Sequence, residues 1–211
     1  MLNHYDLTLP ILIVASCGAV CLGFSKAGFP GMALVNVVLM AELFGAKESV
    51  GMILPLLILC DFAVFPLFAH YATWKETWPL FSVAAVGVFL GYAVLDHLNA
   101  EMTKTAIGII VLIMLALQLI RQSRPMLFGP VEGARWFRWW SGLLIGVSTM
   151  IANAAAPAYS IYTLANRFSK EQFLGIGARC FLLINLLKAP LMTNLAVCRT
   201  CDLKALRVQE S

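Results

Sequence analysis

Long uncharged blocks alternate along the chain with short polar or helix-breaking stretches. Blocks with at most two charged residues cover positions 7–25, 27–41, 50–69, 79–95, 105–120, 139–166 and 172–198. A helix that crosses the hydrocarbon core of a bilayer needs about 20 apolar residues, and most blocks approach this length. They lack the alternating pattern of membrane β-strands. The pattern therefore predicts an all-α, polytopic membrane protein that is embedded in the lipid bilayer.

The composition excludes the other broad classes of protein. Of the 211 residues, 61% are hydrophobic and only 12% are charged, with a mean hydropathy of +0.85. A soluble domain carries about 25% charged residues, and a disordered chain is far less apolar. The net charge of +4 includes no cluster of basic and aromatic residues. We therefore expect no binding of nucleic acid.

The distribution of charge predicts the orientation in the membrane. The stretch 121–138 contains four Arg and a single Glu. Loops rich in basic residues stay in the cytoplasm, so we expect this link on the cytoplasmic side. The first ten residues contain no Lys or Arg. They lack the basic start of a cleavable signal peptide, so we expect the first apolar block to be retained.

The chain also repeats itself at an offset of 123 to 124 residues. Gly-Phe-Ser at 23–25 recurs as Gly-Val-Ser at 146–148, and Phe-Gly-Ala-Lys-Glu at 44–48 recurs as Phe-Ser-Lys-Glu at 168–171. Asp61 corresponds to Asn185, and Pro66 to Pro190. Several matches at one offset indicate two homologous halves. Because five apolar segments separate the copies, we predict an inverted repeat, as in many secondary transporters.

These observations divide the chain into four parts. Residues 1–121 form a first repeat of five apolar segments, and 122–138 form the basic link. Residues 139–198 form a second repeat of three apolar segments, and 199–211 form a polar tail. The second repeat lacks counterparts of the last two segments of the first and is therefore incomplete. A natural short form, a fragment and a frameshifted product remain open as explanations.

Each repeat opens with a block that is too long for one crossing and is interrupted near its middle. The interruptions lie at 26–31 and at 153–157. Broken helices at matching places in two repeats point to a substrate site. Free N–H groups at the start of the helix that follows a break favour an anion. The alternatives are that Lys26 reaches the lipid headgroups and that the second break only packs helices together.

Ionisable side chains inside apolar blocks are further candidates, because inserting one costs about 2.5–3.5 kcal/mol at the centre of the membrane. Lys188 lies deeper in its block than Arg179, so we favour Lys188 as the functional residue. Asp61 is the only acid deep in a block. It could carry a proton, because desolvation favours the neutral carboxyl, or it could pair with Lys188 or Lys26.

At these residues the sequence resembles the sulfite exporter TauE/SafE family of membrane transporters. The matching motifs are Gly-Phe-Ser-Lys-Ala-Gly-Phe-Pro-Gly at 23–31, Ala-Lys-Glu-Ser-Val-Gly at 46–51, Thr-Met-Ile-Ala-Asn-Ala-Ala-Ala-Pro at 149–157 and Asn-Leu-Leu-Lys-Ala-Pro at 185–190. The resemblance covers about residues 8 to 198. It departs from the family in lacking the last two helices and in having Ala156 where a Gly is usual. It implies transport of sulfite, an organosulfonate or a related organic anion across the bacterial inner membrane.

The sequence thus predicts a secondary transporter for a small anion rather than an enzyme, without a cofactor or a metal. The predicted substrate ligands are Ser25, Lys26, Gly28, Gly31, Thr149, Asn153, Asn185 and Lys188, with Asp61 as a proton-coupling group. One alternative is a truncated, transport-inactive membrane protein or an accessory subunit. Another is a thiol–disulfide enzyme that uses Cys198 and Cys201. A homo-oligomer is one of the assemblies that the sequence leaves open.

Overall fold

The protein is helical throughout the part of the chain that the structure describes. A computed structural model describes residues 9–26, 29, 31–123 and 134–209, and these residues contain no β-strand. The helices are α1 (Leu9–Lys26), α2 (Gly31–Phe44), α3 (Ala46–Phe68), α4 (Trp74–His97), α5 (Ala100–Ser123), α6 (Arg135–Ala152), α7 (Ala156–Ala165) and α8 (Lys170–Gln209). A 3-10 turn, Ala69–Tyr71, follows α3. The predicted all-α fold is confirmed.

Four helical stretches among the described residues are long and apolar enough to cross a membrane. They are Glu48–Tyr71, Trp74–His97, Ala100–Ser123 and Lys170–Leu195. A helix of 24 residues, the length of α4 and α5, is about 36 Å long and exceeds the hydrocarbon thickness of about 30 Å. The polytopic membrane prediction is therefore confirmed. Helix α8 continues to Gln209, so the residues predicted as a polar tail are helical to that point.

Both long blocks are interrupted where the sequence predicted. The first break separates α1 from α2, and the second separates α6 from α7. Helices α2 and α7 have 14 and 10 residues, or about 21 and 15 Å, which is too short to cross the hydrocarbon core. In both places a longer helix is followed, after the break, by a short helix and then by a long one: α1–α2–α3 and α6–α7–α8. The opposite orientation of the two copies and the boundaries of the repeats stay predictions.

Local chemistry explains the second break. Asn153 has φ 52° and ψ 27°, a left-handed conformation that Asn adopts more readily than most other residues. Its N–H donates to the Thr149 carbonyl at 3.1 Å, and the Ala154 N–H donates to the Ser148 carbonyl at 3.3 Å. Pro157 lies in the first turn of α7, where no N–H donor is needed. These features end α6 and start α7 within three residues.

Helices α4 and α6 pack backbone to backbone and support the second break. Gly87 on α4 lies against Gly146 on α6, and the next glycine of each helix, Gly91 or Gly142, lies against larger residues of the other helix. A Cβ at position 146 would lie 2.1 Å from the Ala84 carbonyl oxygen, a distance that no side chain could accept. Both helices carry the Gly-x-x-x-Gly spacing that permits such contacts in membranes.

Candidate functional site

Asp61 on α3 links the first break to α8. Its side chain is fully buried and forms an ion pair with Lys26 at the end of α1. Its other carboxylate oxygen accepts a hydrogen bond of 2.6 Å from the Asn185 amide on α8. A carboxylate that is buried this deeply needs such partners to remain charged. Of the two pairings predicted for Asp61, the structure has the one with Lys26.

Lys188, also on α8, contacts the second break. It is fully buried, and its Nζ donates to the Thr149 carbonyl at 2.7 Å and to Asn153 Oδ1 at 2.5 Å. These groups lie at the C-terminal end of α6, where a cation is favoured by the helix dipole. The Asn153 amide in turn donates to the Val50 carbonyl of α3 at 3.2 Å. Lys188 therefore fixes the end of α6.

The two breaks are held in a similar manner. Lys26 and Asp61 are 35 residues apart, as are Asn153 and Lys188. In each pair a residue at the break contacts the long helix that follows the short one, α3 or α8. The lysine lies at the break in the first pair and on the long helix in the second. Each break is thus fixed by one lysine.

A cavity of about 70 Å³ lies between the two breaks. It is large enough for a few water molecules or one small anion. Its polar wall consists of Ser25, Lys26, Asp61, Thr149, Asn153 and Asn185. Ala155 and Ala156 place the start of α7, the positive end of that helix, at the same wall. The cavity combines an ion pair, neutral hydrogen-bonding groups and a helix N-terminus.

Aromatic side chains form the apolar part of the wall. Lys26 Nζ lies 4.8 Å from the centre of the Phe181 ring, within the range of a cation–π contact. Tyr159 lines the cavity, and its hydroxyl donates to the Phe173 carbonyl at 2.5 Å. Phe173 and Phe181 were not predicted as part of the site. They lie on the same face of α8 as Asn185, because multiples of four positions separate the three residues.

The structure brings most of the predicted site residues together. Ser25, Lys26, Asp61, Thr149, Asn153 and Asn185 line the cavity. Lys188 does not line it, because its Nζ is engaged by Thr149 and Asn153 behind the wall. Gly31, the first residue of α2, is also absent from the wall. Gly28 lies outside the described residues. That any of the predicted residues binds the substrate stays a prediction.

Two other candidates lie away from the cavity. The Arg179 Nε donates to the Ala69 carbonyl at 2.9 Å, and the guanidinium lies 4.5 Å from the centre of the Trp74 ring. Arg179 therefore anchors the turn after α3 and does not line the cavity. Cys198 and Cys201 lie in the part of α8 whose side chains the structure does not describe.

The comparison with known families bears on the whole of this site. The model of the family described as "Sulfite exporter TauE/SafE" matches residues 13–202 of the 211-residue chain. The chain belongs to the sulfite exporter TauE/SafE family. TauE/SafE proteins are membrane transporters, and the four membrane-spanning stretches described above agree with that assignment. No curated protein and no solved structure matches the chain significantly. The matched residues include both breaks and every residue that lines the cavity between them, which we call the central cavity.

Proposed function

We propose that this TauE/SafE protein is a secondary transporter for sulfite or an organosulfonate and that the central cavity binds the anion. The observation that carries the proposal is the position of Lys26, whose charged group faces a small cavity inside a membrane protein. Ionisable residues inside membrane bundles usually mark a substrate or ion path. Ser25, Thr149 and the Asn185 amide add neutral donors of the kind that bind sulfur oxoanions. We place the protein in the bacterial inner membrane, with the link at 122–138 in the cytoplasm.

Asp61 neutralises the positive charge of Lys26 when no anion is bound. A substrate anion beside the ionised carboxylate would experience strong repulsion in this low-dielectric surrounding. Protonation of Asp61 removes the repulsion and releases both Lys26 and the Asn185 amide to the anion. Binding of the anion and of a proton are therefore favourably linked, and linkage is reciprocal. Anion affinity is expected to rise as the pH falls.

Charge balance supports this coupling. The two charged groups that line the cavity, Lys26 and Asp61, sum to zero. When Asp61 is protonated and a monovalent anion such as bisulfite or an organosulfonate is bound, the charges in the cavity again sum to zero, and Lys188 stays behind the wall in both states. Net charge is costly in the hydrocarbon region, so a site whose total charge does not change on binding can change its exposure across the membrane more easily. Asp61 is thus proposed as the proton-coupling group.

Flux measurements on reconstituted protein test the proposal. Purified protein in liposomes should accumulate radiolabelled sulfite, and Lys26→Gln should reduce the flux to the level of protein-free liposomes. Lys104→Gln is the matched control, because Lys104 is exposed on α5 and does not line the cavity. Wild-type flux equal to that of empty liposomes for both sulfite and isethionate would overturn the function. Unchanged flux in Lys26→Gln would overturn the site.

A further inference from the structure

A second, larger cavity lies next to the central one on the other side of α7. Its volume is about 490 Å³, several times that of the central cavity. Arg121 at the end of α5 and Lys170 at the start of α8 line it, together with Ser160 and Thr163 of α7. None of the described residues that line it is acidic. The cavity is therefore basic as well as large enough for a hydrated ion.

Arg121 has a hydrogen-bond donor without a partner among the described residues. This donor is its buried Nε. Buried donors nearly always have a partner, so an unpaired guanidinium nitrogen at a cavity points to a ligand. By contrast, the hydroxyls of Ser160 and Thr163 donate to backbone carbonyls of α7 at 2.8 to 3.1 Å. Apart from the Ser169 hydroxyl, the side-chain donors that remain for a ligand are therefore cationic.

A single layer of side chains separates the two cavities. Phe173 and Leu174 on α8 line both of them. On α7, Tyr159 lines the central cavity, and its neighbour Ser160 lines the second cavity, which we call the outer cavity. The Tyr159 hydroxyl donates to the Phe173 carbonyl and so ties this layer to α7. Displacement of the Phe173 and Leu174 side chains would join the two cavities.

We propose that the outer cavity is a second anion site, from which a small oxoanion reaches the central cavity past Phe173 and Leu174. The inference rests on the proposed transport function. Arg121 and Lys170 attract the hydrated anion, since basic clefts raise the local concentration of anions. The narrow central cavity then takes the ion without most of its water. The outer site thus collects the anion, and the central site binds it for transport.

Alkylation of a single cysteine tests the outer site without relying on transport. Leu164 lines this cavity and is 41% exposed, so Leu164→Cys in a variant without other cysteines offers a reactive thiol. The rate ratio of iodoacetate, an anion, to neutral iodoacetamide should fall about tenfold when Arg121→Gln is added, by loss of the local field. Isethionate should slow both reactions. Intact-mass spectrometry measures both rates.

The matched control for charge is Lys104→Gln in the same background, which should leave the rate ratio unchanged. A rate ratio that is the same with and without Arg121→Gln, or no protection by isethionate, would overturn the outer site. Arg121→Lys should retain most of the effect of charge and shows whether a low ratio reflects misfolding. Because the wild-type flux is measured separately, failure of the outer site is distinguishable from failure of the transport function.

Kinetics test the path between the two cavities. Arg121→Gln and Lys170→Gln should raise the KM for transport severalfold and change kcat little, because they act on capture of the anion. Phe173→Ala should instead increase the rate at which iodoacetate modifies Ser25→Cys in the central cavity. An unchanged rate for that central cysteine would show that the anion reaches it by another path.

Discussion

Asn185 donates a 2.6 Å hydrogen bond to Asp61, which lies 124 residues earlier and is its predicted counterpart in the other half of the chain. Equivalent positions of two copies approach each other only near the axis that relates the copies. The inverted-repeat hypothesis therefore places that axis at this contact, between α3 and α8. Secondary transporters with such repeats bind their substrates at the interface of the repeats. The central cavity lies at the same place.

Lys188 is expected to position the second break and not to bind the anion. Lys188→Met would leave the Asn153 amide oxygen without its donor, at a cost of about 1–3 kcal/mol for a buried unpaired group, while the Thr149 carbonyl would keep only the Asn153 N–H. We expect a clear fall in the melting temperature of the purified protein. The KM of the remaining folded protein should change little.

The control is Lys104→Met, which removes an exposed Lys from α5 and should leave both quantities unchanged. A large rise in KM without loss of thermal stability would return Lys188 to the list of ligands.

Close packing of α4 on α6 is expected to be a main source of stability. Gly146→Ala would place a methyl group 2.1 Å from the Ala84 carbonyl oxygen, so the helices must separate. Overpacking of this kind costs about 1–3 kcal/mol. We expect a lower melting temperature in detergent and loss of transport.

Gly108→Ala is the matched comparison on α5, because a Cβ there would meet nothing within 4 Å. It should be neutral or stabilising by up to about 1 kcal/mol, since Gly is a poor helix former. Equal melting temperatures for the two variants would contradict the packing argument.

The Tyr159 hydroxyl is expected to hold the partition between the cavities. Tyr159→Phe removes the hydrogen bond to the Phe173 carbonyl, which contributes about 1 kcal/mol. We expect the partition to open more often, which would raise the downhill anion flux and weaken its dependence on protons. Flux with and without a pH gradient measures both effects.

Tyr162→Phe serves as the control, since Tyr162 is on the same helix but does not line the central cavity. If Tyr159→Phe and Tyr162→Phe gave the same flux as the wild type, the partition would not depend on this hydroxyl.

Much of the fold follows from local rules that the sequence displays. The apolar blocks predict the helices, because backbone in lipid has few alternatives. The second break follows from Asn153 and Pro157, whose conformational preferences end one helix and start the next. The polar side chains that line the cavity were found because polar groups in apolar blocks are rare and conspicuous.

The parts that could not be predicted depend on the direction in which a side chain points. Lys188 is as deep as expected, but hydropathy gives depth and not direction, so its engagement with α6 was missed. Phe173 and Phe181 resemble any other core aromatic in sequence, and only the path of α8 past the breaks gives them a role. The second cavity required Arg121 and Lys170 to meet, although 49 positions separate them in the chain.

Proton uptake on anion binding is the direct test of whether the central cavity binds an anion together with a proton. Calorimetric titration of the purified protein with isethionate, in buffers of different ionisation enthalpy, gives the number of protons bound with each anion. An organosulfonate is suitable because its charge does not change with pH. We expect uptake of close to one proton per anion in the wild type. We expect no uptake in Asp61→Asn and no anion binding in Lys26→Gln. Anion binding without proton uptake in the wild type, or binding that persists in Lys26→Gln, would contradict this proposal.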